Sequence, residues 1–407
     1  MSTYFVPDNS EFRTTDLEEL RAFLSEREAN SIWYTDEDNC RAADVKFSPI
    51  LEEPIAIGAN VEKLRNRKYP KFTASEEAYA DTMCAPSMGF DGTTQMLYVN
   101  GHLYPVGASA VKGITERIKT GVENWEMLKN SNPEHLSQNL NNDMIALGDK
   151  MKSRPYLSIL IQDEKVRAVN SGSYAICPLT SVLSSTTEWI HREYPKAKFL
   201  SAYASHVFTT WTLDLEAYTD DVLGAYPEIK NNGFTPALIV TTSHLGTSSI
   251  SLKPALKIQD IVFPISEGIA APHTAAGTAS ERTNKIENTV RENFNSVFPS
   301  LEKQAQAIDA LRVTNVNNAH NALLRAMKSL KMPKEQALEA AELFKAIFPD
   351  IATAYDCYLA LIDVMSFVAR DFPKDYKRQF AIAKSMERAL VGIDWVRLGN
   401  LAGDFSW

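Results

Sequence analysis

The stretch from Ile159 to Lys253 constrains this chain most. It alternates short apolar runs with short polar connections in the order strand, strand, helix, strand, strand, loop, strand, strand. PYLSILIQ and KVRAV are separated by a brief charged turn, which predicts a hairpin. AKFLSAYA and HVFTTWTLDL are rich in β-branched and aromatic side chains, which suit a pleated, half-buried surface. Between the two pairs, Pro178 opens a helix that runs through Arg192, since proline fits the first helical turn. PALIVTT and TSSISLK flank a turn containing Gly246 and form a further pair. The expected core is therefore an α+β domain on an antiparallel or mixed β-sheet.

From about Ser280 to Leu398 the period changes from two to that of helices. Pro333, Pro349 and Pro373 punctuate three successive helices, each proline near a helix start. Three apolar stripes follow: Leu338, Ala341, Phe344 and Phe348; then Tyr355, Tyr358, Leu359, Ile362 and Met365; then Tyr376, Phe380, Ala383 and Met386. Stripes at this spacing face a core, so the C-terminal part is expected to be an α-helical domain. The Ala-, Gly- and Thr-rich segment Gly268–Ser280 is the expected hinge or mobile loop.

Ahead of the sheet, Thr14 and Thr15 precede the helix DLEELRAFLSERE, whose early carboxylates complement the helix dipole. Asn30–Glu62 is polar, broken by Pro49 and Pro54, and reads as an extended connection. QMLYVNGHLYPV predicts a hairpin turning at Asn100-Gly101. Ser109–Lys129 predicts one helix with Val111, Ile114, Ile118, Val122 and Trp125 on a single face. Three regions result: an acidic N-terminal arm over 1–62, an α+β core over 63–267 and a helical domain over 268–407.

Charge is distributed unevenly. The net charge is −9, and residues 1–62 carry 14 Asp and Glu against 5 Lys and Arg, so the whole excess lies in the arm. Such an arm docks on a basic partner, docks on the protein's own surface, or keeps the segment solvated. No run approaches the length of a membrane-spanning helix, and MSTYFVPDNSEF has neither the basic start nor the apolar stretch of a secretory signal. A cytoplasmic protein with no membrane partner is expected. Cys40, Cys84, Cys177 and Cys357 are scattered, which argues for buried free thiols rather than a disulfide framework or a zinc site.

Two pieces of the central stretch, KVRAVNSGSYAICPL and PALIVTTSHLGTSSISLKPAL, carry a resemblance. Arg167, Val169, Ser171 and Tyr174 in the first, and Ser243-His244-Leu245-Gly246 in the second, resemble a phage/plasmid-like protein family defined by a domain of unknown function. TAYDCYLALIDVMSFVARDFPKDYKRQFAIAKSMERAL is similar to that family's closing helices. The likeness spans about Ile159–Leu398. It departs from the family at Asp260–Ile265, where DIVFPI replaces a cysteine-containing turn. It implies a protein of bacteriophages, prophages or plasmids and supplies no catalytic residues.

Motif chemistry is sparse. The chain has no phosphate-binding GxxxxGK[ST], no GxGxxG after a strand, no HExxH and no GxSxG. No two of its seven histidines stand four apart. TTSHLGTSS places Ser243 beside His244, either as a nucleophile pair or as a turn whose hydroxyls satisfy the backbone. FDGTTQ offers Asp91 as a magnesium ligand or as an ordinary Asp-Gly turn. KLRNRKYPKF combines Lys63, Arg65, Arg67, Lys68 and Lys71 with Tyr69. Cations there neutralise phosphates and the ring stacks on a base; the competing reading is a solvated loop paired with the acidic arm. Lys150, Lys152 and Arg154 extend that groove if the fold brings them close.

The leading expectation is a non-enzymatic accessory protein of a phage or other mobile element. It binds single-stranded DNA in recombination or replication, as a homo-oligomer and with no cofactor. The second expectation is an interaction factor for host or phage proteins, working through the acidic arm in counter-defence or host takeover. The third is an enzyme whose site gathers separate groups such as Asp91, His102, His206 or His244.

Overall fold

A computed structural model describes residues 11–49, 95–100, 102–150, 155–162, 165–205, 207–243, 245, 249–265, 268–271, 273, 277–348, 351–373, 375–405 and 407. The protein is α+β, with antiparallel sheets and helices along the chain.

Strand β1 (Glu11–Thr14) leads into helix α1 (Leu17–Ala29). Asp16 caps that helix by accepting from the backbone N–H groups of Glu18 and Glu19, two donors that would otherwise be orphaned. Strands β2 (Ser31–Tyr34) and β3 (Lys46–Pro49) follow, so two pieces of the stretch expected to be an extended connection are built into sheets, with turns between them. The expectation failed because strands of four residues show too little alternation to separate them from loop. The hairpin β4 (Gln95–Val99) and β5 (His102–Pro105) forms as expected, with Asn100 at positive φ.

The single helix expected over Ser109–Lys129 is two, α2 (Ala108–Ile118) and α3 (Val122–Ser131). Lys119 turns left-handed at the break and Gly121 caps the second helix, and of the expected stripe beyond that corner Trp125 is buried while Val122 is exposed. Helix α4 (Pro133–Lys150) completes this layer. The hairpin β6 (Leu157–Gln162) and β7 (Lys165–Ser171) pairs with β2. A Cβ at Gly113 would fall 2.6 Å from the Val169 carbonyl oxygen, so α2 lies directly on β7. Phe47, Leu97, Ile114, Trp125, Leu140, Ile159 and Val169 belong to the apolar core of this part.

Helix α5 (Leu179–Glu193) starts after Pro178. Strands β8 (Lys198–Ser205) and β9 (Thr209–Asp214), short helices α6 (Thr219–Leu223) and α7 (Pro227–Asn231), and strands β10 (Phe234–Thr242), β11 (Ile250–Ile258), β12 (Ile261–Pro264) and β13 (Ile269–Ala271) come next. They build a seven-stranded antiparallel sheet in the order β1-β8-β9-β10-β11-β12, with β13 also paired to β11. Part of the expected hinge is thus a strand. The central stretch read as one sheet is divided between two, since β6 and β7 pair with β2 instead.

The C-terminal part holds α8 (Ala279–Phe294), α9 (Val297–Leu311), β14 (Asn315–Asn317), α10 (Ala319–Ser329), α11 (Lys334–Ile347), β15 (Ile351–Thr353), α12 (Ala354–Asp371), α13 (Tyr376–Gly392) and α14 (Trp395–Gly399). Only the small β14–β15 pair interrupts the helices there among the described residues. Helix α12 is capped reciprocally by Thr353 and Asp356. One apolar cluster runs from Leu20 and Leu24 of α1 through Trp211, Leu238 and Phe263 of the sheet to Tyr358, Leu361 and Met386 of the helices.

Candidate functional site

The register of the large sheet assigns its side chains to two faces, because successive residues of a strand point opposite ways. Trp211, Leu213, Leu238, Val240, Leu252, Leu256 and Phe263 share the face buried in the main core. On the other face Arg13, Tyr203, Thr210, Thr241 and Ser251 lie in one row across β1, β8, β9, β10 and β11. Ser201, Thr212, Ile239 and Lys253 form the neighbouring row, and Lys257 lies further along β11.

This second face floors a cleft of about 750 Å³, within the usual range for a ligand site. Met365, Val368 and Ala369 of α12, with Phe380, Ile382 and Ala383 of α13, make its apolar side, and α13 adds the cation Lys384. Arg13, Thr14, Thr15 and Glu19 close the β1 end. From β1 to β11 the sheet advances four strand spacings, roughly 19 Å at about 4.8 Å each.

The floor's polar groups divide into engaged and open ones. Thr210 Oγ1 donates to the Val240 carbonyl at 3.0 Å, and Thr241 Oγ1 donates to Thr210 Oγ1 at 3.1 Å. Ser201 and Thr212 are partly exposed, and their hydroxyls have no hydrogen-bond partner among the described residues. Lys257 Nζ donates to Asp214 Oδ2 at 2.5 Å and to Glu216 Oε2 at 3.0 Å. Burial opposes the charge on Lys257, yet these two carboxylates hold its pKa above the usual lysine value. Arg13 Nη2 donates to Glu11 Oε2 at 2.9 Å while its guanidinium lies 5.6 Å from the Tyr203 ring centre. Burial, then the hydrogen bond to Glu11, pushes the Tyr203 phenol up to about 12, so it stays neutral and can donate. The lining residues include four cations, Arg13, Lys253, Lys257 and Lys384, against the carboxylates of Glu19 and Asp260.

Rings run along one end of the cleft. Tyr203 and Phe208 have centroids 5.5 Å apart, and Phe208 stacks on Phe380 at 5.3 Å with 29° between planes. Phe380 belongs to a stripe expected to face the core. It is only half-buried and borders the cleft, because α13 packs beside β12 at the sheet's edge.

The cleft is not where sequence reasoning looked. Lys63, Arg65, Arg67, Lys68, Tyr69 and Lys71 lie outside the described residues, as do Asp91, His206, His244, Lys152 and Arg154. His102 sits on β5, and Lys150 ends α4. Ser243 is fully buried; its Oγ donates to the Val207 carbonyl at 2.6 Å and accepts from Leu245 N–H at 3.2 Å. Its hydroxyl therefore satisfies local backbone, the simpler of the two readings. Cys40, Cys177 and Cys357 are buried, and burial, helped by nearby carboxylates, pushes each thiol up to about 12. Among the described residues no group of three His, Cys, Asp or Glu side chains could hold a metal ion, and no described helix is long and apolar enough to cross a membrane.

The two signature stretches do meet. Asn170 Nδ2 donates to the Leu245 carbonyl at 3.3 Å, and Tyr174 Oη to that of Ser243 at 3.5 Å. Tyr174 also stacks between Trp33 and His273, with centroid distances of 5.5 and 5.3 Å. No family model, curated protein or solved structure matches the chain.

The missed residues had one legible signal. SAYAS, TTWTL and ISLKPALKI alternate polar with apolar residues, which in an antiparallel sheet marks one dry and one wet face.

Proposed function

We propose that this protein binds single-stranded nucleic acid without turnover, as an accessory factor of a phage or other mobile element, and that the strand lies in the cleft over the polar sheet face. A single strand needs cations for its phosphates, ring faces for its bases and hydrogen-bonding groups between them. The observation that carries the reading is the meeting of all three on one surface: Lys253 and Lys384 as cations, Phe380 as a ring, and the open hydroxyls of Ser201 and Thr212. Lys257 and Arg13 already face carboxylates and Lys253 also has an interaction of its own, so the site favours moderate, salt-sensitive affinity over tight nonspecific clamping.

The described acidic groups of the arm bear on the competing interaction-factor reading. Glu28 accepts from the backbone N–H and hydroxyl of Thr180, Asp36 pairs with Arg282 at 3.1 Å, and Glu19 accepts from Thr14. These carboxylates serve internal contacts, which supports the strand-binding reading over one that needs them for a partner.

Fluorescence anisotropy with a labelled single-stranded oligonucleotide at several salt concentrations tests the proposal. Binding should weaken as salt rises. Replacing Lys253 and Lys384 together by alanine should flatten the log–log slope by about 1.4, since single strands give roughly 0.7 per phosphate contact. An unchanged slope in the double variant would remove the cleft from the reading; no binding by the wild type at low salt would remove the reading itself.

A further inference from the structure

Resting on that reading, we infer that Phe380 and Lys384 form a one-nucleotide subsite on α13, the ring stacking a base and the ammonium meeting a neighbouring phosphate. The two residues stand four apart on one helix, which puts their side chains side by side, about 5–6 Å between Cβ atoms. Both line the cleft. Phe380 is half-buried and Lys384 exposed, so the ring is seated while the charge stays in water.

The seating of the ring is the second argument. Phe380 stacks on Phe208, which in turn packs near Tyr203 of the floor. One side of the Phe380 ring is therefore engaged with protein while the residue still borders the cleft. A ring fixed in this way loses little freedom when a flat partner stacks on it, which is how a preorganised contact gains affinity. Stacking is available to every base, so the subsite selects for the presence of a base and not for its identity. Ser201 and Thr212 then face the sugar–phosphate side of the strand from the floor.

The test compares an oligothymidylate with an otherwise identical oligonucleotide carrying abasic sites, by anisotropy, on the full chain. The wild type should bind the abasic strand about tenfold more weakly. Phe380→Ala should bind oligothymidylate about tenfold more weakly than wild type and should no longer distinguish the two strands. Phe380→Trp keeps a ring there and should retain the distinction; a thermal melt of each variant checks that the packing on Phe208 survives. Equal wild-type binding of both strands would overturn the subsite while leaving strand binding intact. The same holds if a folded Phe380→Ala still discriminates. Failure of the wild type to bind either strand would overturn strand binding and the subsite with it.

Discussion

The two faces of the seven-stranded sheet are made by the same strands and obey opposite rules. Around Trp211, Leu238 and Phe263 the sheet is dry and sealed by helices. One residue along each strand, the row Ser201, Thr212, Ile239 and Lys253 floors a cleft. Strand period alone produces this contrast, and a register slip of one residue would exchange the faces. The dry face contributes stability and, on the proposed function, the wet face contributes recognition, so substitutions on the two should separate into different measurements.

The largest effect is expected on the dry face. Trp211→Ala removes a side chain that is 1% exposed and should cost about 3–5 kcal/mol in chemical denaturation, through lost transfer energy and the cavity left behind. A loss below 1 kcal/mol would contradict its place in the core.

Next comes the Lys257–Asp214 ion pair of the wet face. Lys257→Met leaves Asp214, whose side chain is 12% exposed, without its cation. That should cost about 2–3 kcal/mol, with most of it recovered when Asp214→Leu is added, because the penalty is the stranded charge rather than the missing attraction. If the double variant is no more stable than the single one, this account of the pair fails.

A pH series probes His273, which is buried against the ring of Tyr174. Burial holds the His273 pKa below the usual 6.5, against a backbone hydrogen bond to Ala175 that raises it. The unfolded chain therefore takes a proton that the folded chain refuses. Stability is fully present above about pH 6.5 and is lost as pH falls below it. His273→Asn should reduce the loss of denaturation midpoint between pH 7.5 and 5.5; an identical loss would assign the acid sensitivity to other groups, among them His320, whose pKa burial also lowers.

The smallest effect sharpens the contrast best. Thr212→Val is nearly isosteric and removes only a hydroxyl open to the cleft. Stability should stay within about 0.5 kcal/mol, while oligonucleotide affinity falls. A change in stability larger than the change in binding would make Thr212 a structural residue.

Legibility in the sequence followed the length of each local pattern. Strands β8 to β11 and the hairpin at Asn100 were readable because alternation and turn chemistry repeat over many residues. Helices α5, α11 and α12 were readable from proline placement and apolar stripes. Strands β1, β2, β13, β14 and β15, each of three or four residues, were not, since their pairing partners lie far along the chain. The candidate site was hidden for a related reason. Its cations are scattered, one on β1, two on β11 and one on α13, and none stands in a charge run. The cations that cluster visibly in the sequence are those of Lys63–Phe72. The stripe on α13 was legible as apolar, but nothing local tells whether such a stripe meets a core or the mouth of a cleft.

Residue order by itself determined most of the helices and the longer strands, and that those strands would carry one apolar side. Tertiary structure alone decided that β1 joins β8 while β2 joins β6, and that Arg13, Lys253 and Lys384 look into a common space. The physical reason is range: backbone period is set by neighbours a few residues away, whereas a cleft exists only once surfaces distant in the chain have paired and packed.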